Sequence, residues 1–495
     1  MQLSKILKSR DEWKDKAKQR CTEMWEMRKV HKYYKERVAN LVEENRVLKE
    51  KLESSSINTP IKKNDLVVPK QDIRPLLVSL VVDGVISYRS CIRVLEIFQR
   101  NSFITTNWIP HFSSIINWTH RIGKGLLDEV KKIDTKWIAI TDHSIEIGRK
   151  QVFVVLRVAL DIFLQRDGAI TLKDCECIGV KVSPKVTGKN VDKELEEIFA
   201  KAGEPVAIIK DNGSALNNGV EIYKEQHSAN IKTVEDITHI VANGLKKQFE
   251  KTKQYQEYMK MLRDGATKLR QTDLAFLIPP KLRKKGRFQA ISKLNNWSKK
   301  LIDKNIFSKR GKAKKGSLLE RLRAAFPNFK SLEPFVKNFI KTTDITNKIM
   351  QLLKNEGLSI ATYNQSMKLL KKLPKNSKTR KTIRVWLEKH IEIQKELTPY
   401  PLPISSDIIE SLFGKFKYAL KRSAQSDMNR ATLLIPLLCG NLDKQKILDT
   451  LANTKHKELK EWEEENILDT VRKQRMAFFN DDNDDIQIVE MDVAS

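Results

Sequence analysis

Three carboxylates stand out by placement. Asp142 follows a short apolar run in WIAITDHS, Asp211 follows another in VAIIKDNGS, and Glu410 lies in SSDIIESLFGKFK, a segment of helical character. Along the chain they are 211 − 142 = 69 and 410 − 211 = 199 residues apart. Two-metal phosphodiester chemistry requires such a set: a few carboxylates converging on two Mg²⁺ ions about 3.5–4 Å apart, with Mn²⁺ as a substitute. Mg²⁺ is hard, prefers oxygen and keeps several waters, so three carboxylates suffice. Each acid also has a plainer account. Asp142 suits a turn after a strand, and Asp211-Asn212-Gly213 is a turn sequence whatever the chemistry. Asp407 and Glu410 have the spacing of a capping box. Taken one at a time the structural account is preferred; taken together, in strand context, catalysis is. Asp407 is the fallback third ligand, and Asp161, Asp174 and Asp236 are weaker candidates.

The surrounding periodicity says what must position these acids. Residues 137–141 read as a strand ending at Asp142, 151–159 (QVFVVLRVA) as a second, and 175–182 (CECIGVKV) as a third. An amphipathic helix over 190–202 follows, with Leu195, Ile198 and Phe199 on one face, then a strand over 205–210 ending at Asp211. A fifth strand is expected near 230–233, and the order is β-β-β-α-β-α. After Asp236 the pattern is helical to about residue 398, broken at Pro279-Pro280, 309–316, Pro327, Pro334 and Pro374. Carboxylates at the carboxyl ends of adjacent parallel strands converge where open α/β sheets bind ligands. A helix across the sheet can add a third.

Upstream, residues 73–130 read as a small helical module: an apolar helix over 76–82, an Asp83-Gly84 turn, and a Ser87-capped helix over 88–99 carrying Arg89 and Arg93. Further helical segments are expected after Thr106 and Ser113. This is the outline of a helix-turn-helix, and equally of a structural helical hairpin. Residues 1–53 carry a heptad in which 11 of 15 a and d positions are apolar, from Leu3 and Ile6 to Leu48 and Leu52. That argues for a coiled coil and self-association, weakened by Arg10, Arg20 and His31 in the seam.

The chain has 495 residues and 92 Lys or Arg against 62 Asp or Glu, a net charge of +30. Such an excess calls for a polyanionic partner, usually nucleic acid. No apolar run is long enough for a membrane span, and no amino-terminal apolar core marks a secretory signal. Five cysteines make neither a disulfide framework nor a zinc site; Cys175 and Cys177 belong to a buried strand. The densest basic stretch, 281–316, has 14 basic residues and one acid, including Lys284, Lys285 and Arg287, with Phe288, Trp297 and Phe307 interleaved. It suits phosphate neutralisation, and Trp297 or Trp386 is a candidate for stacking on an unpaired base, against a plain core role. Lys415 and Lys417 follow Glu410 on one helix; a DNA-backbone contact is weighed there against a solvated basic face.

In the order of these elements and the motifs TDHS, KDNGS and DIIESLFGKFK, the chain resembles the DDE transposases of bacterial insertion sequences over about residues 75–440. The resemblance implies a multidomain α+β protein with a ribonuclease-H-like mixed sheet interrupted by an all-helical insertion. It implies a coiled-coil helix at 1–56, a linker at 57–72, a helix-turn-helix-like module at 73–132 and a first core part at 133–250. A basic helical insertion at 251–400, a final core helix at 401–440 and a carboxyl-terminal helix with an acidic tail at 441–495 follow. It implies Asp142, Asp211 and Glu410 as catalytic residues on two Mg²⁺ ions; for His143, next to the first acid, a contact with the scissile phosphate or the leaving strand is weighed against a hydrogen-bonded structural role. It also implies double-stranded DNA (terminal inverted repeats and target) as partner, a homo-oligomer of at least two chains, and a cytoplasmic, nucleoid-associated location. The alternative is a non-catalytic or domesticated dimeric DNA-binding protein.

Overall fold

The structure, a computed structural model, describes residues 21, 24, 35–44, 46–47, 70–106, 108–143, 150–166, 169–183, 186–211, 213–282, 288–289, 291–307, 313–420, 428–467 and 470–480. Two compact units are present. In the first, residues 35–44 and 46–47 are helical, with Val38, Leu41 and Val42 exposed. Most of the heptad seam and of the 57–72 linker lies outside the described residues, as do Lys284, Lys285 and Arg287 and the acidic tail.

In the second unit, five strands form one sheet in the order β3-β2-β1-β4-β5. They are β1 (Trp137–His143), β2 (Gln151–Ala159), β3 (Glu176–Ser183), β4 (Ala207–Lys210) and β5 (Lys232–Glu235). β1–β2 and β2–β3 are antiparallel; β1–β4 and β4–β5 are parallel. This is a ribonuclease-H-like arrangement. β1 and β2 read as continuous apolar runs because both faces of these inner strands are covered. On one face Trp137, Ala139, Phe153 and Ile208 meet Leu195, Ile198 and Phe199 of α5 (Gly188–Ala202) and Val220 and Tyr223 of α6 (Ser214–Gln226). Gly179 on β3 lets Ile198 pack close: a Cβ there would lie 2.2 Å from Ile198 Cδ1. Cys177 is buried on β3 and Cys175 just before it; both thiols are free.

Before the sheet come α1 (Lys70–Val82), α2 (Tyr88–Arg100) and α3 (Phe112–Asp128). Ser87 caps α2, its Oγ accepting from Ser90 N at 3.1 Å. Only one helix follows where two were expected, because Thr106 Oγ1 accepts from Trp108 N at 3.2 Å and holds a turn instead. α3 also anchors the carboxyl-terminal region: Arg121 donates to Thr454 O at 2.7 Å.

Between β5 and the helix α14 (Asp407–Leu420) the described chain is helical. The insertion opens with α7 (Ile237–Phe249) and α8 (Lys253–Leu269), includes the long α11 (Phe329–Glu356), and closes with α13 (Lys378–Glu396). Pro334, expected to end a helix, sits inside α11. As its sixth residue it forgoes one backbone hydrogen bond near the amino end, and flanking Leu332, Val336 and Phe339 are buried enough to hold the helix together.

Candidate active site

The two strand acids come together through register. Thr141 of β1 pairs with Lys210 of β4 in parallel, so the next residues, Asp142 and Asp211, leave the two strands side by side at their carboxyl ends. Side chains alternate faces with a period of two. Trp137 and Ala139 face α5 and α6, so Ile138, Ile140 and Asp142 face the opposite side; Ile208 likewise puts Ile209 and Asp211 there. That opposite side is the one covered by α14: Ile140, Ile404 and Ile408 border a common cavity, and α14 packs on β1.

Asp142 is half-buried, and its Oδ1 accepts from His143 N at 2.7 Å. Burial pushes its carboxyl up to about 7; the charge on Asp211 adds to this, the His143 N–H opposes it, and the charges on Glu410 and Asp236 raise it further. Asp211 Oδ1 accepts from Gly213 N at 2.8 Å, the turn bond its sequence predicts. His143 stacks on Phe153 with ring centroids 4.7 Å apart. Burial lowers its imidazole to about 4, so the ring is neutral near pH 7.

The third acid is positioned by a strap between the insertion and α14. Asp236, 1% exposed, caps α7 by accepting from Thr238 N at 2.5 Å and His239 N at 3.1 Å. Its other oxygen accepts from Ser406 N at 2.5 Å and Ser406 Oγ at 2.9 Å, fixing the residue before α14. Asp407 accepts from Thr238 Oγ1 at 3.0 Å and from Lys354 Nζ of α11. Asp407 stands inside α14 as its first residue, not before it as an N-cap. Glu410 instead faces His239, whose Nε2 lies 3.9 Å from Glu410 Oε1 and 3.2 Å from Gln289 Nε2. Partial burial, then the Asp407 charge, raises the Glu410 carboxyl, while His239 lowers it.

Among the described residues, no three of His, Cys, Asp and Glu stand close enough together to hold one metal ion. The Asp142–Asp211 pair nevertheless offers the right donors. Both are hard carboxylates on one face, the charge of Asp211 bears on Asp142, and a divalent cation would relieve that repulsion. Mg²⁺ is commonly held by one or two carboxylates plus substrate phosphate. The pair therefore fits Mg²⁺, with Glu410 at the next remove.

The remaining predicted residues are distributed differently. Lys415 is exposed and borders a groove of about 700 Å³ with Asp83, Lys173 and Ser411. Lys417 lies 5.8 Å from the Phe413 ring centroid. Arg89 and Arg93 are exposed on α2, Arg89 over the Phe112 ring at 4.2 Å. Trp297 is not presented to a base: its Nε1 donates to Leu277 O at 3.2 Å and its ring packs edge-on against Phe326. Trp386, 2% exposed, donates to Glu235 O at 2.9 Å. The interleaved aromatics of 281–316 thus serve the insertion's own packing: Phe288 is buried and Phe307 stacks on Phe329. Asp174 is tied to Arg166 and Thr171. Sequence reasoning overlooked Lys354, Gln289 and Lys210. Lys210 is the detectable one: a lysine closing an apolar strand, 3% exposed, with Nζ donating to Asn217 Oδ1.

No family model matches the chain, and no curated protein matches it. Among solved structures, the Drosophila P element transposase strand transfer complex aligns with 84% of this chain and 100% of that one, at 13% identity and a TM-score of 0.39. A likeness at that level carries no argument about function, and the expected kinship with bacterial insertion sequences finds no support in these comparisons. Among the described residues no helix is long and apolar enough to cross a membrane.

Proposed function

We propose that the protein is a DNA transposase, a Mg²⁺-dependent polynucleotidyl transferase that cleaves at the terminal inverted repeats of a mobile element and joins the freed ends to target DNA. One observation carries the reading. Two aspartates leave adjacent parallel strands at the same level, on the sheet face covered by the helix that bears a third acid. Asp142 and Asp211 would hold the ions, with Glu410, which lies beside His239, as the third carboxylate. Two bound Mg²⁺ ions supply activation of the attacking water or 3′-hydroxyl and stabilisation of the departing oxygen. Neutral His143 shields one side of Asp142, and Lys415 draws the DNA backbone toward α14. Self-association through the heptad at 1–56 would bring two ends together.

A second reading is DNA binding without catalysis, for which the net charge of +30 is sufficient. One experiment separates the two. Duplexes carrying the element's ends are incubated with Mg²⁺ or Mn²⁺ and scored for nicking. Asp142→Asn, Asp211→Asn and Glu410→Gln should each lower nicking by about 10³-fold or more while leaving binding intact. Normal cleavage by Asp211→Asn sinks the proposal; tight binding without cleavage by the unaltered protein establishes the second reading.

A further inference from the structure

A second basic feature lies apart from the stretch that drew attention in the sequence. α7 and α13 pack closely where Gly244 meets Thr379, a Cβ on Gly244 lying 3.3 Å from Thr379 Cα. Beside this crossing the two helices border a groove of about 860 Å³ floored by Ile240 and Trp386. Five lysines line it: Lys246, Lys247 and Lys251 from the α7 side, Lys378 and Lys381 from α13. Two acids share it, and each is met by a lysine: Glu250 by Lys246 at 3.9 Å, and Glu235 by Lys389 at 3.5 Å.

Helix electrostatics account for only part of this. Cations in the last turn of a helix answer its negative end, which suffices for Lys246 and Lys247 of α7. It does not suffice for Lys378 and Lys381. These stand in the first turn of α13, a 19-residue helix capped by Ser377, where the helix dipole disfavours a cation. Lysines that oppose the local dipole, in a concave surface that focuses their field, match a polyanion.

The groove is also placed to serve the carboxylates. Glu235 closes β5 directly opposite Lys210, so the groove opens at the same strand ends as Asp211. Lys246 stands seven residues beyond His239 on α7, almost two full turns and hence on the same stripe. That separation is about 10 Å of helix rise. It spans about three phosphates of one strand along a duplex axis.

Resting on the reading of Asp142, Asp211 and Glu410 as a phosphodiester site, we propose that the α7–α13 groove is a DNA-backbone clamp, its lysines holding phosphates of the duplex that flanks the cut. The test uses the full chain and a fluorescein-labelled mixed-sequence duplex, with affinity followed by anisotropy across a salt series. Lys247→Gln with Lys381→Gln should make the slope of log K against log[salt] shallower by about 0.9 per lost contact, about 1.8 in all. An equal loss of charge on exposed positions elsewhere, Lys457→Gln with Lys460→Gln, should leave the slope unchanged. Should the first pair not match the unaltered protein in thermal melting, Lys251→Gln with Lys378→Gln serves in its place. A steep unaltered slope that the groove variants keep overturns the clamp and leaves the transposase reading intact. So does an equal drop in the distant variant. A flat slope in the unaltered protein removes both.

Discussion

At the scale of single residues, the molecule holds several ionisable groups in states that water would not favour. Asp142 is pushed up to about 7 by burial and by facing carboxylates, so a divalent cation bound there removes a repulsion built into the fold. A ligand that binds only the folded state raises its stability by mass action. Millimolar Mg²⁺ should therefore raise the melting temperature at pH 8, and Asp142→Asn should abolish the shift. A melting temperature indifferent to Mg²⁺ in the unaltered protein would count against the pair as ligands. His120 on α3 is fully buried, both ring nitrogens lack a hydrogen-bond partner among the described residues, and burial lowers its imidazole to about 3 from 6.5. The unfolded chain binds its proton first. Stability from this residue is thus present above about pH 6.5 and is lost progressively as pH falls toward about 3. Melting curves between pH 7.5 and pH 5 should show the decline, and His120→Leu should flatten it.

At the scale of elements, the joint between α7 and α14 decides where the third acid stands. Asp236 accepts hydrogen bonds from the first turn of α7 and from Ser406 at once, across 170 residues of sequence. Asp236→Ala removes a cap and leaves buried donors unpaired, at a cost of about 2–4 kcal/mol. Denaturant melts should register that loss. Nicking should fall with it, and by more than DNA affinity, since the groove lysines of α7 stand at the far end of the helix from this cap. Much of the element level was legible. β1 and β2 announce themselves as apolar runs because each is covered on both faces, and the Ser87 cap is local. The strand order followed from resemblance rather than periodicity, since alternation says nothing about which strand lies beside which. The Asp236–Ser406 tie and the Lys354–Asp407 pair were not legible, because their partners are distant in sequence and each residue alone suits an ordinary turn or cap. The aromatics of 281–316 misled for a related reason: spacing cannot tell a ring that stacks on a base from one that stacks on Phe329.

At the scale of the whole molecule, part of the excess of 30 positive charges gathers in a groove that the linear density did not mark. The groove lysines come from two segments, 246–251 and 378–381, which are 378 − 251 = 127 residues apart and are joined only by folding. The strap on α14 has a consequence of timing. Synthesis yields Asp142 and Asp211 early, but Ser406 and Glu410 emerge only after the insertion, and they are seated by contacts with its first helix and with Lys354. A chain ending before Ser406 would thus carry two of the three acids, and would lack both the third and the contacts to Asp236 and Lys354 that seat it.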